Sequence, residues 1–272
     1  MIKALFFDLD GTLLNSKKKV SSETLATLER CKANGIKLFI ATSRSPYSTR
    51  QVCGDSILSL FDGIAYCNGG LIVAGGTETC VDICEDIVKN AIELISEYDK
   101  LNVALHLNGI YETWALRFPI TKANWRSWGA GNCSLLDEFE SFSKCVKVLI
   151  FYEDLIDSIT PIEKQLVSDL ERLCKNKAQV YVSDKGTCGQ IVAAGVNKKN
   201  AIERIRNVLG IEKNELAVFG DDVNDVEMIS EYYHSVAMGN AEAVVKTAAR
   251  YVTLDNNSNG ISYAIRNFLR LL

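Results

Sequence analysis

The chain has 272 residues, of which 47% are hydrophobic, and this length suits one large domain or two smaller ones with a substantial buried core. The formal net charge is -4, so the composition provides no electrostatic footprint for binding nucleic acid. No apolar stretch approaches membrane-spanning length, and nine scattered cysteines without paired Cys-x-x-Cys spacing predict reduced thiols in a cytoplasmic protein.

The first predicted element is a buried strand that ends in a pair of acids. Ile2–Phe7 is a near-continuous apolar run, and Asp8–Thr12 follows it with the sequence Asp-Leu-Asp-Gly-Thr. Because ligands bind beyond the carboxyl ends of strands in open parallel sheets, we expect Asp8 and Asp10 at the mouth of a site. Two carboxylates this close repel each other unless a cation or a shared proton neutralises them. A surface turn is the alternative, because Asp and Gly are ordinary turn residues.

Alternating helix and strand patterns follow. Apolar residues recur at helical spacing over Leu25–Cys31, and Asn34-Gly35 provides a stop signal for that helix. Strand-like runs come next at Ile36–Ala41 and Gly63–Cys67. This repeated βα pattern predicts an α/β fold with a parallel sheet.

The pattern changes from about residue 84, where a hairpin and helices are predicted in place of the βα repeat. The predicted elements of this region are a helix at Ile87–Tyr98, a hairpin of Asn102–Leu107 and Ile110–Leu116 around Asn108-Gly109, a strand at Val146–Tyr152, a helix at Leu155–Cys174 with Pro161 in its first turn, and a strand at Gln179–Ser183. We therefore predict an inserted α+β domain over residues 83–187, within a parallel-sheet domain formed by residues 1–82 and 188–272.

A second acidic cluster lies near the C-terminal end of the parallel-sheet pattern. Gly220–Asp225, with the sequence Gly-Asp-Asp-Val-Asn-Asp, follows the buried-strand run Leu216–Phe219. Thr42 and Ser43 also follow a strand-like run, and Lys198 comes just before a helical segment. Independent turns would rarely give an acid pair, hydroxyls, a lysine and an acid cluster at such places. The sequence therefore predicts that these residues form one site.

In these motifs the chain resembles the haloacid dehalogenase superfamily, and within it the Cof-like (subfamily IIB) phosphatases of sugars and small metabolites. The segments that carry the resemblance are Asp8–Thr12, Ala41–Arg44, Gly195–Lys198, Gly220–Asp225, Val236–Ala241 and Asn259–Ile261. The likeness runs from Asp8 to about Gly260. It implies a Rossmann-like core with an inserted cap that sets specificity, and a Mg²⁺-dependent phosphatase acting on a small phosphorylated metabolite, with a sugar phosphate expected.

The resemblance also implies roles for the acids and the lysine. Asp8 would be the nucleophile that forms an aspartyl-phosphate, and Asp10 the general acid and then the general base. Asp221, with Asp8 and the backbone carbonyl of Asp10, would bind Mg²⁺ through hard oxygen ligands. Lys198 would supply positive charge to Asp8 and the phosphate, and Asp225 would support Lys198 or a metal-bound water.

Four further residues are expected to bind the phosphoryl oxygens. Thr42 and Asn224 would do so through their side chains, and the backbone amides around Leu9 and Ser43 would add donors, much as phosphates bind at helix N-termini. Ser43 stands where many Cof-like relatives have glycine, so it would tighten phosphate binding or restrict the loop.

Several roles stay open at the level of the sequence. Asp222 is either an outer acid of the site or a turn residue, and Arg44 either a substrate contact or part of a structural salt bridge. Lys199 replaces a common glycine after Lys198. The inserted domain holds Trp114, Trp125 and Trp128. Trp125 and Trp128 either line a substrate pocket or belong to the core of that domain, and the general burial of aromatic residues favours the core.

Two other functions compete with phosphomonoester hydrolysis. A phosphomutase would use the same core and release an isomerised sugar phosphate in place of free phosphate. A non-catalytic sensor of a phosphorylated ligand should lack an essential group, whereas none is missing from this sequence. A receiver-like signalling domain has a different motif order, since here the second acid cluster comes last.

Overall fold

A computed structural model describes residues 1–107, 112–115, 133–135, 144–152, 160–183 and 186–272. Within these ranges the strands are β1 Ala4–Phe7, β2 Lys37–Ala41, β3 Gly63–Tyr66, β4 Leu71–Ala74, β5 Thr77–Cys80, β6 Leu101–Leu107, β7 Glu112–Ala115, β8 Cys133–Leu135, β9 Cys145–Tyr152, β10 Ala178–Ser183, β11 Cys188–Ala193, β12 Leu216–Gly220, β13 His234–Ala237 and β14 Tyr251–Val252. The α-helices are α1 Ser22–Ala33, α2 Pro46–Cys53, α3 Asp55–Leu58, α4 Glu85–Ser96, α5 Lys164–Cys174, α6 Lys198–Leu209, α7 Val226–Glu231, α8 Ala243–Ala248 and α9 Gly260–Asn267.

The chain divides into two compact units. The first consists of Met1–Ser43, Val52–Thr79 and Asn197–Leu272. Its sheet has the strand order β14-β13-β12-β1-β2-β3-β4-β5, in which every pair from β14 to β3 is parallel and β3 pairs with β4 in antiparallel fashion. This arrangement of parallel strands and connecting helices confirms the predicted α/β, Rossmann-like core.

The register of this sheet brings the predicted site residues to one edge. Phe7 at the end of β1 lies opposite Phe219 of β12 and Ile40 of β2. The residues that follow these positions, Asp8 among them, therefore leave the sheet side by side at its carboxyl end. The amide of Asp8 still donates to the carbonyl of Phe219 over 2.9 Å, so the first acid of the motif is anchored to the neighbouring strand.

The central strands form because their side chains are apolar on both faces. All four residues of β1 are fully buried. Phe6 stacks on Phe39 with ring centroids 4.6 Å apart, and Phe7 stacks on Phe219 at 4.9 Å. Aromatic pairs of this kind add to the free energy gained by burial alone. The strand that presents Asp8 is thus fixed by packing on both sides.

Helix α1 illustrates how local signals set the bounds of an element. The hydroxyl of Ser21 accepts from the amide of Thr24 over 3.1 Å at the N-cap, and the helix ends at Ala33 before Asn34. Gly35 then has a φ of +81°, which suits glycine at the end of a helix. The helix predicted before Asn34-Gly35 is therefore confirmed.

The second unit consists of Arg44–Gln51 and Cys80–Val196, and its described strands form a mixed sheet. The strand order is β10-β11-β9-β6-β7-β8, antiparallel except for the pair β7 and β8. Helices α4 and α5 bury Ile87, Ala91 and Leu166 in a core shared with Val148 and Ile150 of β9. The inserted part of the chain therefore has the predicted α+β character, whereas its predicted bounds, residues 83–187, stay a prediction.

Two predictions for this unit fall partly outside the described residues. Strands β6 and β7 pair as the predicted hairpin requires, but Asn108-Gly109 lies outside the described residues. Of the helix predicted over Leu155–Cys174, residues 155–159 lie outside the described residues, residues 160–163 are not helical, and α5 begins at Lys164. The chain at Pro161 is not helical, and the amide of Ile162 donates to the carbonyl of Gly186 over 2.8 Å. Among the described helices, none has the length and apolar character needed to cross a bilayer.

Replacing Phe39 by alanine should cost about 3–5 kcal/mol in the free energy of unfolding, because the fully buried ring stacks on Phe6 at the centre of the first unit. Urea denaturation followed by circular dichroism measures this loss. Val208→Ala is a matched control, since Val208 is 66% exposed and should change stability by about 0.5 kcal/mol or less. Equal losses in the two variants would contradict this description of the core.

Candidate active site

A buried lysine joins three segments of the first unit. Helix α6 begins at Lys198, directly after its N-cap residue Asn197. The Nζ atom of Lys198 lies 2.5 Å from Oδ1 of Asp8 and 2.6 Å from Oδ1 of Asp225. The side chains of Lys198, Asp8 and Asp225 are 1%, 7% and 0% exposed. A buried charge is tolerated only when it is paired, so this lysine and the two carboxylates must be placed together.

Asp225 organises the acidic turn after β12 with its second oxygen. Its Oδ2 accepts from the amides of Asp221 and Asp222 over 2.9 and 3.1 Å. Gly220 makes this close approach feasible, because a Cβ atom there would lie 2.6 Å from Cβ of Asp225. Both carboxylate oxygens of Asp225 are therefore engaged within the protein.

Asp221 is held by donors from two other segments. Thr12 Oγ1 donates to Oδ1 of Asp221 over 2.7 Å, and Asn240 Nδ2 donates to Oδ2 over 3.3 Å. Gly11, with a φ of +80°, lies so close that a Cβ atom would be 2.1 Å from Oδ2 of Asp221. Thr12 and Asn240 both lie in motifs that carry the family resemblance, but sequence reasoning assigned neither side chain a role. Neither residue type by itself predicts a contact with a residue so distant along the chain.

One carboxylate oxygen from each of Asp8, Asp221 and Asp225 lies within 4.8 Å of the other two. When all three carboxylates are ionised, the cluster and the ammonium of Lys198 carry a net charge of -2, which a divalent cation would neutralise. Burial raises the pKa of Asp8 well above its ordinary value although Lys198 opposes the shift. Burial, aided by the charge of Asp225, raises the pKa of Asp221 to about 7. These hard oxygen donors suit Mg²⁺.

Lys198 keeps its charge in this environment. Burial opposes the charged form, but the carboxylates of Asp225 and Asp8 outweigh that effect and raise the pKa of the ammonium above its ordinary value. The lysine is thus a permanent cation, in direct contact with the carboxylate of Asp8.

Asp10 differs from these residues because its carboxylate is partly exposed and contacts a basic loop. Lys18 Nζ lies 2.6 Å from Oδ1 of Asp10, with side chains that are 50% and 32% exposed. Exposed pairs of this kind contribute little to stability, so the contact leaves Asp10 accessible. The predicted metal ligands are Asp8, Asp221 and Asp10, the last through its backbone carbonyl. The carboxylates that the structure brings together are those of Asp8, Asp221 and Asp225.

The predicted phosphate-binding residues occupy neighbouring positions at this edge of the sheet. Thr42 is buried, its amide donates to the carbonyl of Ala65, and its carbonyl accepts from the amide of Asn68. Asn224 Nδ2 donates to Oδ1 of Asn68 over 3.2 Å. This hydrogen bond links the acidic turn to the segment that follows β3, whose Asn68 amide also contacts Thr42. Sequence reasoning gave Asn68 no role in the site.

Leu9 and Ser43 are the other two predicted phosphate contacts. The side chain of Leu9 is fully buried, so its predicted role concerns the backbone. Ser43 directly follows Thr42 and is half-buried.

The sequence left open the roles of Asp222, Arg44, Lys199 and the tryptophans. Asp222 Oδ1 accepts from the amide of Val223 over 2.7 Å, as a turn residue does. Arg44 Nη1 donates to the hydroxyl of Ser48 over 2.6 Å, and Lys199 is half-buried on the first turn of α6. Trp114 lies in β7, whereas Trp125 and Trp128 fall outside the described residues.

Comparison with known proteins identifies the class to which this fold and site belong. Residues 5–265 match the sequence profile of the haloacid dehalogenase-like hydrolase family. A 5-amino-6-(5-phospho-D-ribitylamino)uracil phosphatase of Bacillus subtilis is 30% identical over 269 residues, which cover 98% of this chain and 96% of that protein. A phosphatase of the same description from Escherichia coli is 25% identical over 282 residues, covering 99% and 97%.

Solved structures agree in fold. A HAD subclass IIB sugar phosphatase superposes with a TM-score of 0.82 at 24% identity and covers 99% of this chain and 100% of its own. A haloacid dehalogenase-like hydrolase from Bacteroides thetaiotaomicron gives a TM-score of 0.80 at 25% identity, with coverage of 98% and 99%. The chain belongs to the haloacid dehalogenase-like hydrolase family, and it is a hydrolase of the phosphatase type.

Gly11→Ala should reduce phosphate release from p-nitrophenyl phosphate sharply, because the new Cβ atom would displace the carboxylate of Asp221. Gly35→Ala is the matched control. Gly35 has nearly the same φ, +81° against +80°, but no atom within 4 Å of the added Cβ. The strained φ alone should cost each variant about 1 kcal/mol of stability. Equal activity in the two variants would show that the space around Asp221 does not matter.

Proposed function

We propose that this protein is a Mg²⁺-dependent phosphomonoesterase that acts on small phosphorylated metabolites through an aspartyl-phosphate on Asp8. The observation that carries the proposal is the position of Asp8. Its carboxylate stands at the carboxyl end of β1, in contact with the buried cation of Lys198 and within 4.8 Å of the other acids of the cluster. Phosphoryl transfer needs a nucleophile and positive charge in this kind of arrangement.

The first chemical step transfers the phosphoryl group to Asp8. A carboxylate oxygen of Asp8 attacks phosphorus, and the bond between phosphorus and the ester oxygen breaks. Asp10 gives its proton to the departing oxygen, so the leaving group is released as a neutral alcohol. The partial exposure of Asp10 supports this role, because the acid must reach the leaving group.

The second step regenerates the enzyme. Water attacks the phosphorus of the acyl phosphate, the bond between phosphorus and Asp8 breaks, and Asp10 accepts the proton that the water loses. Inorganic phosphate is released, and Asp10 is again protonated for the next cycle. One carboxyl group can serve both steps because the first step leaves it deprotonated.

The remaining residues neutralise and orient the phosphoryl group. A bound Mg²⁺, held by Asp8, Asp221 and the backbone carbonyl of Asp10, would neutralise phosphoryl oxygen charge. Thr42, Asn224 and the backbone amides around Leu9 and Ser43 would donate hydrogen bonds to the phosphoryl oxygens. Lys198 would hold Asp8 in its attacking orientation, and Asp225 would hold Lys198.

The substrate is proposed to be a sugar phosphate or a related metabolite. Support comes from the relatives, which are described as a sugar phosphatase and as phosphatases of a phosphorylated ribitylaminouracil. Residues 83–187 would act as the cap that selects among such substrates. We also propose that the protein is cytoplasmic and has no nucleic-acid or membrane partner.

Asp8→Asn should abolish turnover while the fold is kept, because the amide is nearly isosteric with the carboxylate but cannot act as the nucleophile. We expect a loss of about 10⁴-fold or more in kcat, measured as phosphate release from a panel of phosphate esters. Circular dichroism establishes that the variant is folded. Near-normal activity in a folded Asp8→Asn protein would retire Asp8 as the nucleophile.

Removal of divalent cations should abolish activity, and added Mg²⁺ should restore it, since the acids of the site repel a phosphate unless a cation is present. Asp221→Ala should raise the Mg²⁺ concentration required for half-maximal rate. Asp222→Ala is the neighbouring control, because Asp222 caps a turn, and its Mg²⁺ requirement should resemble that of the unmodified protein. Full activity in metal-free buffer would refute the metal assignment.

A further inference from the structure

Asp221 receives one hydrogen bond on each carboxylate oxygen. Thr12, which is 1% exposed, donates to Oδ1 over 2.7 Å, and Asn240 donates to Oδ2 over 3.3 Å. Thr12 belongs to the turn after β1 and Asn240 to the turn after β13, so the two donors approach from different segments of the first unit. Hydrogen bonds on both oxygens fix the plane of the carboxylate.

The amide of Asn240 has a defined orientation. Its Nδ2 also donates to the carbonyl of Gly11 over 2.9 Å, and its Oδ1 accepts from the amide of Asn256 over 3.0 Å. The carbonyl of Gly11 and Oδ2 of Asp221 can only accept, whereas the amide of Asn256 can only donate. The nitrogen of Asn240 must therefore face Asp221, and both of its hydrogens are used.

The loop that supports Asn240 is itself tied to the N-terminal part of the chain. Asn256 Nδ2 donates to the carbonyl of Leu14 over 2.8 Å, and the amide of Ser16 donates to Oδ1 of Asn257 over 3.0 Å. Asn240 thus sits where the turn after β1, the acidic turn and the C-terminal loop meet. Loss of its side chain would remove the donor to Oδ2 of Asp221 and leave Thr12 on Oδ1, while the ties of Asn256 to Leu14 and of Ser16 to Asn257 would stay.

We propose that Thr12 and Asn240 are positioning residues that hold the carboxylate of Asp221 ready for a divalent cation. The inference deepens the proposed function and rests on it, because it has meaning only if Asp221 binds the cation. A carboxylate already fixed in its rotamer loses less entropy when it binds an ion. Residues that orient a metal ligand in this way typically change metal affinity about 10–100-fold.

Binding of Mn²⁺ to the full-length protein without substrate tests this inference independently of turnover. Electron paramagnetic resonance of free Mn²⁺ gives the dissociation constant. Asn240→Ala and Thr12→Val should each weaken Mn²⁺ binding about 10–100-fold. Asn257→Ala is the control, since Asn257 ties the same loop to Ser16 and has no contact with Asp221 among the described residues. Its Mn²⁺ affinity should equal that of the unmodified protein.

The outcomes separate positioning from general support of the fold. Unchanged Mn²⁺ affinity in both Asn240→Ala and Thr12→Val would overturn the inference, and so would an equal weakening in Asn257→Ala. If Asn240→Ala does not fold, the nearly isosteric Thr12→Val variant decides. Failure of the unmodified protein to bind Mn²⁺ would instead overturn the proposed metal site, and with it this inference.

Discussion

The burial of one ammonium group between two carboxylates is the constraint on which the rest of the site depends. Lys198 is almost inaccessible to solvent, and its contacts of 2.5 and 2.6 Å with Asp8 and Asp225 provide the compensation that a buried charge requires. Removing one partner of such a group typically costs about 3–5 kcal/mol, because the other charges stay buried without it. The end of β1, the start of α6 and the acidic turn are therefore fixed together as one unit.

Hydrogen bonds connect this buried ion pair to the other residues of the site and fix their positions. Asp225 contacts Lys198 through one oxygen and receives the amides of Asp221 and Asp222 on the other. Thr12 and Asn240 then fix the carboxylate of Asp221, while Gly11 and Gly220 provide the room that these contacts need. The site gathers more negative than positive charge in a buried place. Such charge persists in a buried place only where a proton, a cation or a bound ligand offsets it, and groups in this situation are typical of functional sites.

The sequence predicts the parts of this arrangement that have a local signature. The apolar run before Asp8 and the stop signal at Asn34-Gly35 determine elements on their own, so β1 and α1 are found where expected. Strand β5 could not be predicted, because all of its residues are exposed and it has no apolar pattern. Likewise, Asn240 meets Gly11 across 229 positions, and nothing in the intervening residues encodes that contact. Such contacts follow from the register of the sheet, which depends on packing between distant segments and cannot be read from a local pattern.

The stereochemistry at phosphorus tests the proposed covalent role of Asp8 most directly. Attack by Asp8 and then by water makes two in-line displacements, each of which inverts the configuration, so the released phosphate should show net retention. Direct attack by a metal-activated water would invert the configuration once. Hydrolysis of a chiral, isotopically labelled phosphate ester distinguishes the two routes. Net retention is the expected result, and net inversion would mean that Asp8 serves only as a metal ligand.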